Sequence, residues 1–179
     1  MQKLSMEQLG RKSVTDFKAA PKHKMVLVVD NVRSMHNVGS FFRTADSFLL
    51  EAIYLCGFTP VPPHRDIQKT ALGATETVTW HHAANTVEVV QQLRQNGYTL
   101  VALEQVKDST LLNQLHLPAA QPIALIVGNE VDGVQQAVLE LCQVVAEIPQ
   151  FGSKHSLNVS VAAGIAIWHI VQQQFLAHE

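Results

Sequence analysis

The chain has 179 residues, 47% of them apolar, and a formal net charge of −2. That length fits one compact domain with a sizeable core. No apolar run approaches the ~20 residues that a membrane span needs, and the opening MQKLSMEQLGRK lacks the apolar stretch of a secretory signal.

Charge is unevenly spread. Up to Lys24, six basic residues (Lys3, Arg11, Lys12, Lys18, Lys22, Lys24) face two acidic ones (Glu7, Asp16); the remainder carries 7 basic and 13 acidic residues. Residues 1–24 therefore read as a basic, helical N-terminal extension on an acidic body, residues 25–179. Such an arm can contact phosphate backbones or simply present a solvated helix face, and both readings stay open. Cys56 and Cys142 are isolated, with no CxxC and no zinc-type spacing. They read as free thiols in a reducing cytoplasm, the expected location. Neither a metal nor a membrane is expected as a partner.

In chain order, residues 25–29 (MVLVV) form an apolar run of the kind that a parallel sheet buries on both faces. A polar loop over 31–37 leads to a helix over 38–48, for which Asn37 is a possible cap. Residues 52–55 read as a second strand. Residues 57–70 hold three prolines and read largely as loop. An amphipathic helix over 86–96 stops at Gly97. Strands follow at 98–103 and 123–127, a helix at 134–141, and a last strand at 144–148. The final helix opens at Ser156-Leu157-Asn158, residue types that cap helices. It is apolar almost all round, which predicts burial. Alternating strands and helices predict an α/β fold with a mostly parallel sheet and helices on both faces.

In such sheets ligands sit beyond the carboxyl ends of the strands. Three polar loops follow strands, over 31–37, 128–133 and 149–158. In the first, NVGSFFR (37–43), Arg43 is either a snorkelling surface residue or a guanidinium aimed at a phosphate or carboxylate. The second, IVGNEVDG (126–133), has phosphate-loop glycine spacing, but Val134 and Gln135 stand where Lys and Ser/Thr are needed. No GxGxxG is present. Glu130 there can orient a polar group, handle a proton, or serve as a charge at a helix N-terminus. In the third loop Lys154, His155 and Ser156 are candidates to face a ligand. His81-His82 reads as an exposed pair and not as a metal site.

Taken together, these segments resemble the SpoU/TrmH family of RNA ribose 2′-O-methyltransferases, of the SPOUT class. NVGSFFR is similar to the family's first motif, IVGNEVDG to its second and IPQFGSKHSLNVSVAAGIAIW (148–168) to its third; KTALGATETVTW (69–80) resembles the middle region. The resemblance implies a deep C-terminal trefoil knot, a homodimer with sites near its interface, S-adenosylmethionine as cofactor and RNA as partner. It implies catalytic roles for Arg43, Glu130, Ser156 and Asn158. It implies cofactor contacts at Leu103, Glu104, Gly128, Asn129, Ile148 and Leu157, many of them through backbone. RNA contacts fall to Asn37, Arg43 and Lys154. The expected reaction is methyl transfer to a ribose 2′-hydroxyl, on tRNA in preference to rRNA. A catalytically idle RNA-binding module of the same fold, or a base methyltransferase, is the alternative.

Overall fold

The computed structural model describes residues 2–5 and 8–176. Of the extension expected to be helical, only Val14–Ala19 (α1) forms a helix among the described residues; positions 1, 6 and 7 lie outside them, as do 177–179. Ser13 caps α1 by accepting from Asp16 N, and Phe17 is buried, which ties the end of the arm to the body. The first strand, His23–Asp30 (β1), begins two residues before the expected boundary.

Seven strands form one parallel sheet: β1, β2 (Leu50–Cys56), β3 (Trp80–Ala83), β4 (Thr99–Leu103), β5 (Thr110–Leu111), β6 (Ile123–Val127) and β7 (Val144–Glu147). Their spatial order is β3-β2-β1-β6-β4-β7-β5, with every neighbouring pair parallel. Side chains alternate between faces along a strand. Met25, Leu27, Val29, Leu125 and Val127 pack with α2 (Met35–Ser47) and α7 (Val159–Val171) on one face. Val26, Val28, Ala124 and Ile126 pack with α5 (Thr86–Gln95) and α6 (Gln136–Leu139) on the other. Helices thus cover both faces, as the apolar runs of β1 and β6 require.

Three local expectations change. Residues 57–70 are not all loop, because α3 (Arg65–Ala71) starts immediately after the prolines, with His64 as its cap. It forms because Ile67 and Ala71 bury one face against α2. The approach is close: a Cβ on Gly39 would lie 2.0 Å from Thr70 Oγ1 and 2.3 Å from Ile67 O. The middle region also contains a helical turn, Ala74–Thr77 (α4), and the edge strand β3, whose Trp80 meets Phe42 edge-on at 6.4 Å. The helix read over 134–141 contracts to α6. Gln135 stays extended, because its N–H donates to Asp30 Oδ2 (2.9 Å) and its side-chain amide to Asp30 Oδ1 (2.6 Å).

The last change concerns α7, which is not buried all round. Ala163, Ala166, Ile167 and Ile170 face the core, whereas Val161, Ile165 and Trp168 are 52%, 40% and 46% exposed. By length and mean hydropathy, Val159–Leu176 passes as a membrane-crossing helix. Its packing on the sheet makes it a core helix with one open apolar stripe.

Cys56 is buried and Cys142 half-buried. Burial pushes their thiols up to about 12 and about 11, so both stay protonated at neutral pH.

Candidate active site

Strand register aligns the carboxyl ends of the central strands. Val127 pairs with Val29 on one side and Leu103 on the other, and Leu103 pairs with Ala146. The residues that follow, Asp30, Gly128, Glu104 and Glu147, therefore emerge at one level. Gly128, Glu104 and Glu147 open onto a cavity of about 520 Å³, within the roughly 300–1,000 Å³ of small-molecule sites. Its apolar wall includes Leu103, Ile148, Leu157 and Ala162; its polar rim includes Glu104, Asn129, Glu130, Glu147, Ser156 and Asn158. Nine of the residues named from the sequence meet here: Leu103, Glu104, Gly128, Asn129, Glu130, Ile148, Ser156, Leu157 and Asn158. Asn37, Arg43 and Lys154 do not line the cavity.

The loop after β6 is shaped by its own polar groups. Asn129 and Gly133 exchange two backbone hydrogen bonds, both 3.0 Å. Asn129 Oδ1 accepts from Val131 N (2.7 Å) and Asp132 N (3.2 Å), and its amide donates to Asn31 O (2.8 Å). That side chain is engaged at both its oxygen and its nitrogen in building the loop. The turn folds directly onto Gly128, where a Cβ would lie 2.2 Å from both Gly133 C and Val134 N. Glu104 closes the far side: Oε2 accepts from Val134 N (3.0 Å) and Oε1 from Gln105 N (2.7 Å).

Glu130 serves a helix N-terminus, but not that of the helix following it in the chain. Its carboxylate accepts from Arg33 N (3.1 Å) and Ser34 N (3.3 Å), at the start of α2, and from Asn37 Nδ2 (2.9 Å). Burial alone raises its pKa; the donors from Arg33, its own N–H, Asn37 and Ser34 outweigh that and hold it below the usual carboxylate range. Glu130 is thus ionised and engaged at neutral pH, the state of an anchor and not of a proton carrier.

The cap of α2 is Ser34, whose Oγ accepts from Asn37 N at 3.3 Å. Asn37, expected at the cap, lies inside the first turn and bridges instead. Its Oδ1 accepts from Asn158 Nδ2 (3.1 Å), and Asn158 Oδ1 caps α7 by accepting from Ser160 N (2.9 Å) and Val161 N (3.3 Å). One chain of hydrogen bonds, Glu130–Asn37–Asn158, joins all three polar segments. Ser156, read as part of the helix opening, is exposed in the loop and its hydroxyl bonds to no described residue. Arg43 sits in the third turn of α2, exposed, with no side-chain hydrogen bond or ion pair among the described residues. Lys154 is exposed, His155 reaches the cavity rim, and His81 and His82 are exposed on β3. Among the described residues no group of three or more His, Cys, Asp or Glu is placed to hold a metal.

Sequence reading missed two features. Glu147 lines the cavity from the end of β7, and the rule that found Glu104, a polar residue at a strand's carboxyl end, would have found it. Asp30 is fully buried and accepts from Thr86 Oγ1 (2.6 Å), Gln135 and Asn31. A carboxylate ending an apolar strand is the signal for such a node, since buried charge needs partners.

Because the Glu130 carboxyl lies below its unfolded-state value, its contribution to stability is complete above the ordinary glutamate range. It is lost as pH falls through the depressed value. Glu130→Gln is expected to lower the melting temperature at neutral pH by about 2–4 °C and to flatten its dependence on pH between 6 and about 3. Calorimetric scans across that range check both.

A parallel α/β sheet with two polar loops lining a cavity at its carboxyl edge, and a third hydrogen-bonded to both, defines a ligand-binding α/β protein of the switch-point type. The model of the SpoU rRNA Methylase family matches residues 24–168, and the chain belongs to that family. It is 32% identical over 96% of its length to the 23S rRNA (guanosine-2'-O-)-methyltransferase RlmB of Vibrio parahaemolyticus, of which it spans 68%. It is 29% identical over 90% of its length to a putative TrmH family tRNA/rRNA methyltransferase of Staphylococcus saprophyticus, of which it spans 64%. Among solved structures, the A. aeolicus TrmH/SpoU tRNA modifying enzyme matches 85% of the chain with a TM-score of 0.76 and 26% identity, and 76% of that enzyme is covered. An AdoMet-bound rRNA methyltransferase from Sinorhizobium meliloti matches 87% with a TM-score of 0.78 and 25% identity, and 59% of that chain is covered.

Proposed function

We propose that this protein transfers a methyl group from S-adenosylmethionine to a ribose 2′-hydroxyl of RNA in the cytoplasm. The observation that carries the reading is a cavity lined by the second and third motif segments, with the first tied to both through Asn37, in a chain of the SpoU rRNA Methylase family. The residues present suit the cofactor. Leu103, Ile148 and Leu157 form an apolar wall for a flat ring, and Gly128, by letting the turn over 129–133 pack onto its backbone, sets the shape of the lining beside it. Glu104 and Glu147 place carboxylates where a cationic ligand is favoured.

The bound cofactor supplies a methyl group on a positively charged sulfur, which is already an activated leaving group. What remains for the protein is to position a sugar hydroxyl and stabilise the charge that grows on it. Arg43 performs the second task as a fixed cation beside the developing alkoxide, and RNA phosphate or water accepts the proton. A guanidinium has no readily lost proton, so electrostatic stabilisation is the economical role. Ser156, with its free hydroxyl at the rim, orients the ribose. Glu130, Asn37 and Asn158 are positioning residues that hold the segments in register.

Arg43 does not line its own chain's cavity, while Val161, Ile165 and Trp168 leave an apolar stripe open on α7, which packs against α2. Both facts support a homodimer in which that stripe is covered and Arg43 serves the partner's cavity. The strand order supports a C-terminal knot. After β6 the chain passes β4 to reach β7, and α7 then returns to pack against α2, β4 and β6. Lys154 and the basic arm extend the surface available to RNA. The tRNA preference read from the sequence stays part of the proposal, beside relatives whose names include rRNA and tRNA.

Incubation with methyl-labelled S-adenosylmethionine and separated tRNA and rRNA fractions, followed by nucleoside digestion, tests the reading. Label on a ribose is the expected result. Label on a base, or none, refutes it, the latter in favour of an idle binding module.

A further inference from the structure

Phe58 is the feature that the methyl-transfer reading leaves unexplained. It is 58% exposed, at the tip of the loop after β2, on the carboxyl edge of the sheet where the cavity opens. A lone exposed phenylalanine usually needs no explanation. This one is held by an unusual amount of buried hydrogen bonding. Its own N–H donates to Asn31 Oδ1 (3.2 Å). The next residue, Thr59, is buried; its hydroxyl donates to Cys56 O (2.7 Å) and accepts from Val32 N (3.1 Å). Gly57 has φ +63°, and a Cβ there would lie 1.9 Å from Asn31 Oδ1. The loop after β2 is thus locked to the loop after β1, and the ring at its tip is presented on a rigid mount.

The mount carries a cation as well. Arg33 Cζ lies 5.5 Å from the Phe58 ring centroid. Arg33 N–H is one of the donors to Glu130, so the pair is fixed to the loop that lines the cavity. The guanidinium also lies 4.0 Å from Asp132, with both side chains well exposed. Such an exposed pair is weak, and Arg33 can exchange Asp132 for another anion at little cost. Arg33 lies just before the cap of α2, and from Met35 at its start to Arg43 is eight residues, about 12 Å along the helix axis.

We propose that Phe58 and Arg33 form a stacking platform for an unpaired nucleobase of the RNA, a few nucleotides from the methylated ribose. The ring takes the face of the base and the guanidinium meets its flanking phosphate. An aromatic face beside an arginine is the combination that binds single-stranded nucleic acid without requiring a particular base. The proposal rests on the RNA-methyltransferase reading.

The test measures binding of short single-stranded oligoadenylate, and of the same backbone with abasic sites, by fluorescence anisotropy. Phe58→Ala is expected to weaken oligoadenylate binding by about 5- to 150-fold and to leave abasic binding unchanged. Phe58→Trp should restore or tighten it. Arg33→Ala should lower the slope of log affinity against log salt by roughly one. Melting temperature and S-adenosylmethionine affinity should not move, since the ring is outside the core and the cavity. Equal oligoadenylate binding by wild type and Phe58→Ala overturns the platform alone. A change of oligomeric state in Phe58→Ala also overturns it, by assigning the ring to a protein interface. A wild-type protein that binds no RNA overturns the platform together with the RNA reading beneath it.

Discussion

Replacing Arg43 with alanine is expected to lower turnover by about 10²–10³-fold, the effect of removing one preorganised charge-stabilising donor from a transition state. Affinity for S-adenosylmethionine should be unchanged, because Arg43 lies outside the cavity lining. Stability should be unchanged too, because the side chain is exposed and bonds to no described residue. Arg43→Lys should recover little, since an ammonium cannot reproduce a planar, two-pronged donor. Single-turnover rates together with calorimetric cofactor binding separate these effects. Wild-type turnover by Arg43→Ala, with cofactor binding intact, removes Arg43 from the chemistry.

Gly128→Ala is expected to act on the other half of the site. A methyl group there meets backbone atoms of Gly133 and Val134 at 2.2 Å, and neither can rotate away as a side chain would. The turn over 129–133 must lift, which breaks the paired Asn129–Gly133 hydrogen bonds and pulls Val134 N from Glu104. The expected cost is about 1–3 kcal/mol of stability, with cofactor binding lost beyond measurement. Thermal melts and calorimetry check it; cofactor binding at wild-type affinity would place the ligand elsewhere.

The two variants together test whether the site is shared between subunits. If Arg43 serves the partner's cavity, mixing Arg43→Ala chains with Gly128→Ala chains rebuilds one complete site per mixed dimer. Activity should then rise to about a quarter of wild type at equal mixing, as random pairing about a two-fold axis dictates. If Arg43 serves its own chain's cavity, the mixture stays as inactive as its components.

Much of this was legible in the residues. The apolar runs at 25–29 and 123–127 demand burial on both faces, and a parallel sheet is the arrangement that supplies it. A parallel sheet in turn directs attention to loops at its carboxyl edge, where Gly128, Glu130, Ile148 and Asn158 were found to meet. Helix starts were less legible. Asn37 and Ser34 are both good capping residues, and only the position of Glu130 decides between them, by engaging Arg33 N, Ser34 N and the Asn37 amide together. The short helix α3 escaped notice because its stabilisation is contact with Gly39, thirty residues away in the chain, and not a pattern of its own.

Local chemistry therefore determined which segments are strands, which helices are apolar and which loops carry polar groups, because periodicity and capping act over a few residues. Tertiary structure alone decided what those polar groups do. Glu130 became an anchor, Asn37 a bridge and Asn129 a loop former, while the side chains of Arg43 and Ser156 were left without hydrogen-bond partners among the described residues. The physical reason is that a side chain's role depends on which donors and acceptors surround it. For Glu130, Asn37 and Asn158 those partners lie about a hundred residues away in sequence, brought together only when β1 and β6 pair side by side.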